Sequence, residues 1–113
     1  MVLGLKYVHF IGMWQNIKLE SVKTSTKSGK KWNFTFKNKN TGRKFTTSVG
    51  DSSAEDYTMH HNKTRRTHYL NRHEKDLRTG DPTRAGYISY YVLWGPSKSF
   101  EENLRLYKKR FGL

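Results

Sequence analysis

Cysteine is absent from this sequence of 113 residues, and acidic residues are few. Without cysteine the chain can form neither disulfides nor thiolate metal sites. The sequence also contains no Gly-x-Ser-x-Gly motif and no glycine-rich phosphate loop, two common marks of catalytic centres. We therefore predict that the protein is not an enzyme, with no catalytic residues, no cofactor and no small-molecule substrate.

Positive charge dominates the composition. Lys and Arg number 22 against 9 Asp and Glu, which gives a formal net charge of +13. Such a surface attracts nucleic acid, an anionic membrane surface or an acidic protein. Hydrophobic residues make up 34% of the chain and aromatic residues 14%, so the core is small and rich in rings. The length fits a single domain, residues 1–113.

Three segments differ in composition. Residues 1–18 form an apolar arm, residues 19–50 a basic β region and residues 51–113 a helical region. Residues 1–50 carry ten Lys or Arg and one acid, a net of +9, whereas residues 51–113 carry twelve and eight, a net of +4. We predict an α+β fold, with an N-terminal antiparallel β-hairpin or small sheet followed by about three α-helices.

The β region shows strand and turn signals in order. Leu19–Lys23 is a short strand candidate, and Trp32–Phe36 alternates apolar and polar residues with a period of two. Asn38–Gly42 is rich in turn residues, and Arg43–Val49 is the expected return strand. Ser28–Lys30 is a second turn.

The helical region contains three start signals. Asp51, Ser52 or Ser53 can cap a helix from about Ala54 to Glu74, and we expect a break near His60. Asp81-Pro82 opens a helix over Thr83–Trp94, which is apolar on both faces and therefore predicted to be the buried centre of the fold. Ser99 and Glu102 form a capping box before a last helix with the apolar stripe Phe100, Leu104, Tyr107 and Phe111.

Basic side chains are the candidate polyanion-binding residues. Lysines, including Lys23, crowd the hairpin around Trp32, Phe34 and Phe36, so cations could neutralise phosphates while rings stack on bases. In the alternative, the aromatics face the core and the lysines only face water. Three arginines of the first helix could also clamp phosphates, or could pair with Asp56, Glu74 or Asp76. The candidates are Lys27, Lys30, Lys31, Lys37, Lys39, Arg43, Lys44, Arg65, Arg66 and Arg72.

Histidines cluster in the first helical stretch, at His60, His61, His68 and His73. His61 and His68 share a helix face, but no H-E-x-x-H pattern and no third ligand accompanies them. A nuclease role for His60, His61 and Asn62 would need metal-holding carboxylates that this pattern lacks. We predict no metal site, and expect imidazoles hydrogen-bonded to Tyr and Asp.

The apolar arm is predicted to contact other proteins. It is too short and too polar to span a bilayer, and it lacks the features of a signal peptide. A strand added to a neighbouring subunit is one way in which such an arm binds. Its apolar members are Leu3, Leu5, Tyr7, Val8, Phe10, Ile11 and Trp14.

From Leu19 onward the chain resembles a small, basic protein family of nucleocytoplasmic large DNA viruses, including algal viruses and iridoviruses. The matching stretches are Gly29-Lys30-Lys31-Trp32, Glu55-Asp56-Tyr57-Thr58-Met59-His60, the spaced Arg65, Tyr69 and Arg72-His73, Asp81-Pro82-Thr83-Arg84-Ala85-Gly86, Leu93-Trp94-Gly95 and Tyr107-Lys108-Lys109-Arg110-Phe111. The arm, Met1 to Lys18, and Tyr90-Tyr91 depart from the family pattern.

The resemblance implies a viral protein packaged in the virion and made in the host cell interior, but it supplies no activity. The expected function is that of a minor capsid protein that stabilises or lines the inner face of the shell. Its partners would be other capsid proteins, and its charge could face viral DNA or an inner membrane. The alternative is a DNA-binding protein without sequence specificity, associated with the packaged genome.

Overall fold

The computed structural model describes Trp14 and residues 16–113. A three-stranded antiparallel sheet comes first, and helices follow, so the predicted α+β fold is confirmed. The strands are β1 (Ile17–Thr24), β2 (Lys30–Asn38) and β3 (Lys44–Asp51). The helices are α1 (Tyr57–His60), α2 (Lys63–His73), a 3-10 helix (Glu74–Thr79), α3 (Ala85–Ile88) with its π-helical continuation (Ser89–Leu93), and α4 (Phe100–Phe111). None of these helices is long and apolar enough to cross a membrane.

Strand β2 lies in the middle of the sheet. Phe34 pairs with Val22 on one side and Thr47 on the other, and Phe36 pairs with Leu19 and Phe45. Side chains alternate along a strand, so the aromatics of β2 face the helices while the residues between them face away. The register of β1 shifts between Leu19 and Ser21, which leaves Glu20 without a partner on β2 in a β-bulge.

The helices cover one face of this sheet. Phe34, Phe36 and Val49 are fully buried there, against the π-helical segment and α4. The ring of Tyr107 meets Phe34 edge-on, with centroids 6.4 Å apart. Val92 is equally buried, which confirms the segment around it as the centre of the fold. Burying side chains of this size contributes roughly 1.5–3 kcal/mol each.

The first helix begins later than the sequence predicts. Asp56 is its N-cap and accepts a hydrogen bond from the backbone N–H of Thr58 at 3.0 Å. The Asp51 carboxylate instead accepts from the N–H and hydroxyl of Ser53, at 2.9 and 2.7 Å, in a local turn. Capping by Asp51, Ser52 or Ser53 is therefore wrong. The break near His60 is confirmed, because His61 adopts the left-handed conformation with φ 58°.

Two further start signals are satisfied only in part. Asp81 accepts from the N–H and hydroxyl of Thr83, at 2.9 and 2.6 Å, so a turn precedes the helix and α3 begins at Ala85 rather than Thr83. Ser99 caps α4 by accepting from the N–H of Glu102 at 3.2 Å. The Glu102 carboxylate does not return to Ser99, because it pairs with Arg105 at 2.8 Å.

Most of the predicted arm lies outside the residues that the structure describes. Its apolar members Leu3, Leu5, Tyr7, Val8, Phe10 and Ile11 are among these undescribed residues. Trp14 itself is half-buried and packs against the core of its own domain. Its Nε1 donates a hydrogen bond to the carbonyl of Gly80 at 3.3 Å. Strand β1 begins at Ile17, so the last two residues assigned to the arm belong to the sheet.

A buried amide joins α4 to the chain before it. Asn103 is fully buried, and its Nδ2 donates to the carbonyls of Val92 at 2.9 Å and Ser97 at 2.7 Å. Its Oδ1 accepts from the N–H of Ser97 at 2.8 Å. Gly95 packs so closely here that a Cβ would lie 2.6 Å from the Asn103 side chain. The amide thereby bonds three backbone groups, one in the π-helical segment and two in the connection to α4.

Replacing Asn103 with Ala should lower the free energy of unfolding by about 3 kcal/mol, because buried backbone groups lose their partners. Urea denaturation followed by circular dichroism measures this. Asn71→Ala, at an exposed position of α2, is the control and should change stability by less than about 0.5 kcal/mol. Equal small losses in both variants would contradict the role given to Asn103.

Candidate functional site

The face of the sheet that points away from the helices carries a row of three lysines. Lys37 on β2 pairs with Lys18 on β1 and with Lys44 on β3. Adjacent strands lie roughly 4.8 Å apart, so the three side chains leave the sheet side by side. We call Lys18, Lys37 and Lys44 the lysine row. Like charges opposite one another destabilise a sheet, so this arrangement costs folding free energy.

One carboxylate lies within the lysine row. Oε2 of Glu20 is 2.9 Å from Nζ of Lys44. The hydrogen bond from Lys44 holds the pKa of the Glu20 carboxyl below its usual value, and the charges of Lys44, Lys37 and Lys18 act in the same direction. Glu20 is therefore ionised at neutral pH, and the row together with Glu20 keeps a net positive charge.

Short polar side chains accompany the lysine row on the same face. The hydroxyls of Thr35 and Thr46 are 3.0 Å apart across β2 and β3. Oδ1 of Asn33 accepts from the hydroxyls of Ser25 at 2.8 Å and Ser48 at 2.7 Å. Hydroxyl and amide groups of this kind are common phosphate contacts in protein–DNA interfaces.

The aromatic residues of β2 are not on this face. Trp32 packs against Phe100 of α4, with ring centroids 4.7 Å apart. Phe34 is buried under α4, and Phe36 stacks on Phe45 at 5.3 Å. Within the part of the chain that the structure describes, the strand register puts no aromatic ring on the open face. Stacking of bases on this face is therefore not available.

The predicted hairpin cations divide between the two ends of the sheet. Lys37 and Lys44 belong to the lysine row, and Lys39 and Arg43 lie in the connection between β2 and β3 at the same end. Lys27 and Lys30 lie at the other end, in and after the turn between β1 and β2. Lys18 is not among the predicted binding residues, because the predicted first strand begins at Leu19. Extending the alternation of β1 backwards by two residues would have found it.

Lys31 is engaged inside the fold rather than on the open face. Its Nζ lies 2.8 Å from Oδ2 of Asp56, and the two side chains are only 14% and 4% exposed. Its stem crosses Gly50, where a Cβ would lie 3.1 Å from the Lys31 side chain and from Leu93. The ion pair joins the sheet to the N-terminus of α1, so we do not include Lys31 in the candidate surface.

The three predicted arginines of α2 have separate roles. Nε of Arg66 donates to the carbonyls of Trp94 at 2.9 Å and Gly95 at 3.0 Å, which satisfies backbone at the end of the π-helical segment. Arg65 pairs with Glu55 at 3.2 Å on the surface. Arg72 is exposed and makes no ion pair with any described residue. The three do not form one phosphate clamp.

The histidines are placed apart from the lysine row. His73 is 2.9 Å from the Asp76 carboxylate and stacks on Tyr69, with centroids 4.1 Å apart. Nδ1 of His60 accepts from the N–H of Asn62 at 2.9 Å, while its Nε2 is buried without a hydrogen-bond partner. Among the described residues, no three His, Cys, Asp or Glu side chains are grouped to hold a metal ion.

Comparison with known proteins gives one partial match. The model of a family of unknown function (DUF5754) matches residues 20–73, a little under half of the chain. This segment runs from the Glu20 bulge to the end of α2 and includes Lys37 and Lys44. No curated protein and no solved structure matches the chain. The match carries no function, and the resemblance to a viral family stays a prediction.

The Lys31–Asp56 ion pair should support folding and not binding. Lys31→Met leaves the buried Asp56 carboxylate without its counter-ion, so the free energy of unfolding should fall by about 3 kcal/mol in urea denaturation. Lys37→Met, on the same strand, should change it by less than about 0.5 kcal/mol. A loss at Lys31 no larger than that at Lys37 would show that the ion pair does not stabilise the junction.

His60 should make stability depend on pH. Burial lowers the pKa of its imidazole, and the charge of Arg65 adds to the effect. The unfolded chain then takes up a proton more readily than the folded protein. The contribution of His60 to the free energy of unfolding is therefore fully present above about pH 6.5, the ordinary histidine pKa. It decreases as the pH falls from there towards the lowered pKa of the folded protein.

The measurement is urea denaturation of the wild type and of His60→Gln between pH 7.5 and 5.5. The difference in stability between the two proteins should change across this range, because the other titrating groups are common to both. A constant difference would mean that His60 binds its proton equally well in the folded and unfolded states.

Proposed function

We propose that the protein binds nucleic acid without sequence specificity, through phosphate contacts on the open face of its sheet. The observation that carries this proposal is the lysine row, which the strand register assembles from three strands. Lysines that neutralise phosphates release the counterions condensed on the nucleic acid. This release supplies most of the affinity of non-specific binding.

The folding cost of the row supports a binding role. Lys18 and Lys37 are direct cross-strand partners of like charge, as are Lys37 and Lys44. Only Glu20 offsets them in the described structure, through its contact with Lys44 at 2.9 Å. A bound phosphate chain would remove the repulsion that remains. A sheet face that only needed solubility would gain from balanced charges, whereas the lysine row sets three lysines against the single carboxylate of Glu20.

The surroundings of the row favour phosphate over base recognition. The other side chains on the face include the hydroxyls of Thr35, Thr46 and Ser48 and the amide of Asn33. Sequence is read by contacts to base edges, and stacked bases need aromatic or guanidinium planes. The rings of β2 are occupied in the core, so the face offers charge and hydroxyls to any sequence alike.

Further cations enlarge the surface at one end. Lys39 directly follows β2, which carries Lys37, and Arg43 directly precedes β3, which carries Lys44. Together with the lysine row they make five cations against one acid, Glu20. A patch of this size can contact several successive phosphates, because a duplex carries one charge per roughly 1.7 Å of its axis.

The minor capsid function remains a prediction of the sequence. It depends on the apolar arm as a contact to other capsid proteins, and residues 1–13 lie outside the described part of the chain. No feature of the described residues favours that partner over nucleic acid. The two functions are compatible, since a shell protein that lines a genome would use the same basic face.

Removing the lysine row should weaken DNA binding and its dependence on salt. For Lys18→Gln, Lys37→Gln and Lys44→Gln combined, we expect affinity for a 30-base-pair duplex to fall on the order of 10²-fold near 0.1 M salt. The slope of log K against log salt should become shallower by about 2.7, since each lost phosphate contact contributes about 0.9. Fluorescence anisotropy titrations between 50 and 200 mM salt measure both quantities.

The matched control replaces three exposed cations of the helical half, Lys98, Lys108 and Lys109, with Gln. It changes the net charge by the same amount and should leave the affinity within a few-fold of wild type. Duplexes of unrelated sequence should bind wild type equally. Equal losses of affinity in both triple variants would show that binding depends on net charge and not on the lysine row. Either that result or an unchanged affinity of the lysine-row variant would refute the proposal.

A further inference from the structure

Glu20 lies on the open face two residues after Lys18, at an irregularity of β1. The β-bulge between Leu19 and Ser21 adds one residue to β1, and this residue is the acidic one. It borders two neighbouring shallow depressions of the open face. Lys18 and Lys37 line the first depression with it, and Lys44 and Ser21 line the second. Lys44 contacts its carboxylate, and the charges of Lys37 and Lys18 also act on it.

The contact between Glu20 and Lys44 is short, but water reaches both side chains. Oε2 lies 2.9 Å from Nζ of Lys44, a charge-assisted hydrogen bond. Yet the Glu20 side chain is 35% exposed and that of Lys44 is 55% exposed. An exposed pair of this kind has low net stability, because water competes for both partners. The carboxylate can therefore leave without disturbing the core.

A carboxylate and a phosphodiester present similar groups to a lysine. Each carries one negative charge shared between two terminal oxygens, and each accepts short hydrogen bonds from an ammonium group. A phosphate that took the position of the Glu20 carboxylate would therefore meet Lys44 directly and lie in the field of Lys37 and Lys18. Both anions cannot be there together, because their charges repel.

We infer that the Glu20 carboxylate marks a phosphate-binding position in the lysine row and that a nucleic-acid phosphate must displace it to bind there. This inference rests on the proposed function and adds a residue that sets the affinity. Glu20 acts as an internal competitor, so the surface releases one carboxylate contact for each backbone that it accepts. The lowered pKa of Glu20 keeps that competitor charged at neutral pH.

The test compares Glu20→Gln with wild type in the same anisotropy titrations. Without the carboxylate no contact has to be broken before phosphate reaches Lys44, so affinity for the duplex should rise about fivefold near 0.1 M salt, the upper value for an exposed ion pair. The salt slope should change by less than about 0.9, the value of one phosphate contact, because Lys44 contacts phosphate in both complexes. Glu20→Ala, which also removes the amide, should show the same rise in affinity. Urea denaturation verifies that both variants are folded.

Glu102→Gln is the matched control. Glu102 is also exposed and pairs with Arg105 at 2.8 Å, but it lies on α4. The substitution adds the same net charge and should change the affinity by less than about twofold with an unchanged slope. If Glu20→Gln behaves like Glu102→Gln, Glu20 does not compete with phosphate and the inference fails.

The lysine-row variant separates failure of the inference from failure of the proposed function. Adding Glu20→Gln to that triple variant should give no gain in affinity, since no freed lysine remains. If the triple variant binds DNA as wild type does, the proposed function fails together with the inference. If it loses binding while Glu20→Gln behaves as its control does, the function stands and only the inference is overturned.

Discussion

Burial of Phe34, Phe36 and Val49 beneath the helices fixes which face of the sheet meets solvent. These three side chains have no exposed surface, and their packing sets the register of β2 against its neighbours. Side chains alternate with a period of two, so a slip by one residue would bring the lysines inside and the aromatics outside. The same packing that stabilises the domain therefore aligns Lys18, Lys37 and Lys44. One strand register therefore determines both the buried core and the arrangement of the lysines on the open face.

The junction between the two halves of the chain depends on a second constraint. Lys31 leaves β2, crosses Gly50 and reaches Asp56 at the N-terminus of α1. Asp56 uses one carboxylate oxygen for this ion pair and the other for the cap of its helix. A basic residue in the most basic segment thus serves the fold. Because lysines such as Lys31 are used inside the fold, a count of lysines in the sequence overstates the size of the binding surface.

Local patterns predicted the strands and the buried segment, because they depend on residues close in sequence. The alternation over Trp32–Phe36 and the apolar faces around Val92 each reflect one element and its burial. What could not be predicted depends on partners far along the chain. Arg66 binds carbonyls 28 and 29 residues away, and Lys31 pairs with a residue 25 positions later. The Glu20 bulge has no local signal, so the position of its carboxylate required the sheet. The sequence predicted Asp51, Ser52 or Ser53 as the first helix cap, whereas the cap is Asp56, which also pairs with Lys31 of β2.

The three strands follow one another in space as they do in sequence, and this order affects how the surface comes into being. Each strand pairs with its neighbour across a short connection, so loop closure costs little entropy. Sheets built from such local pairings have low contact order and form faster than those that join distant segments. Every cation of the lysine row lies between Ile17 and Asp51. The row is therefore complete within the meander, and packing against the helical half fixes the register that aligns it.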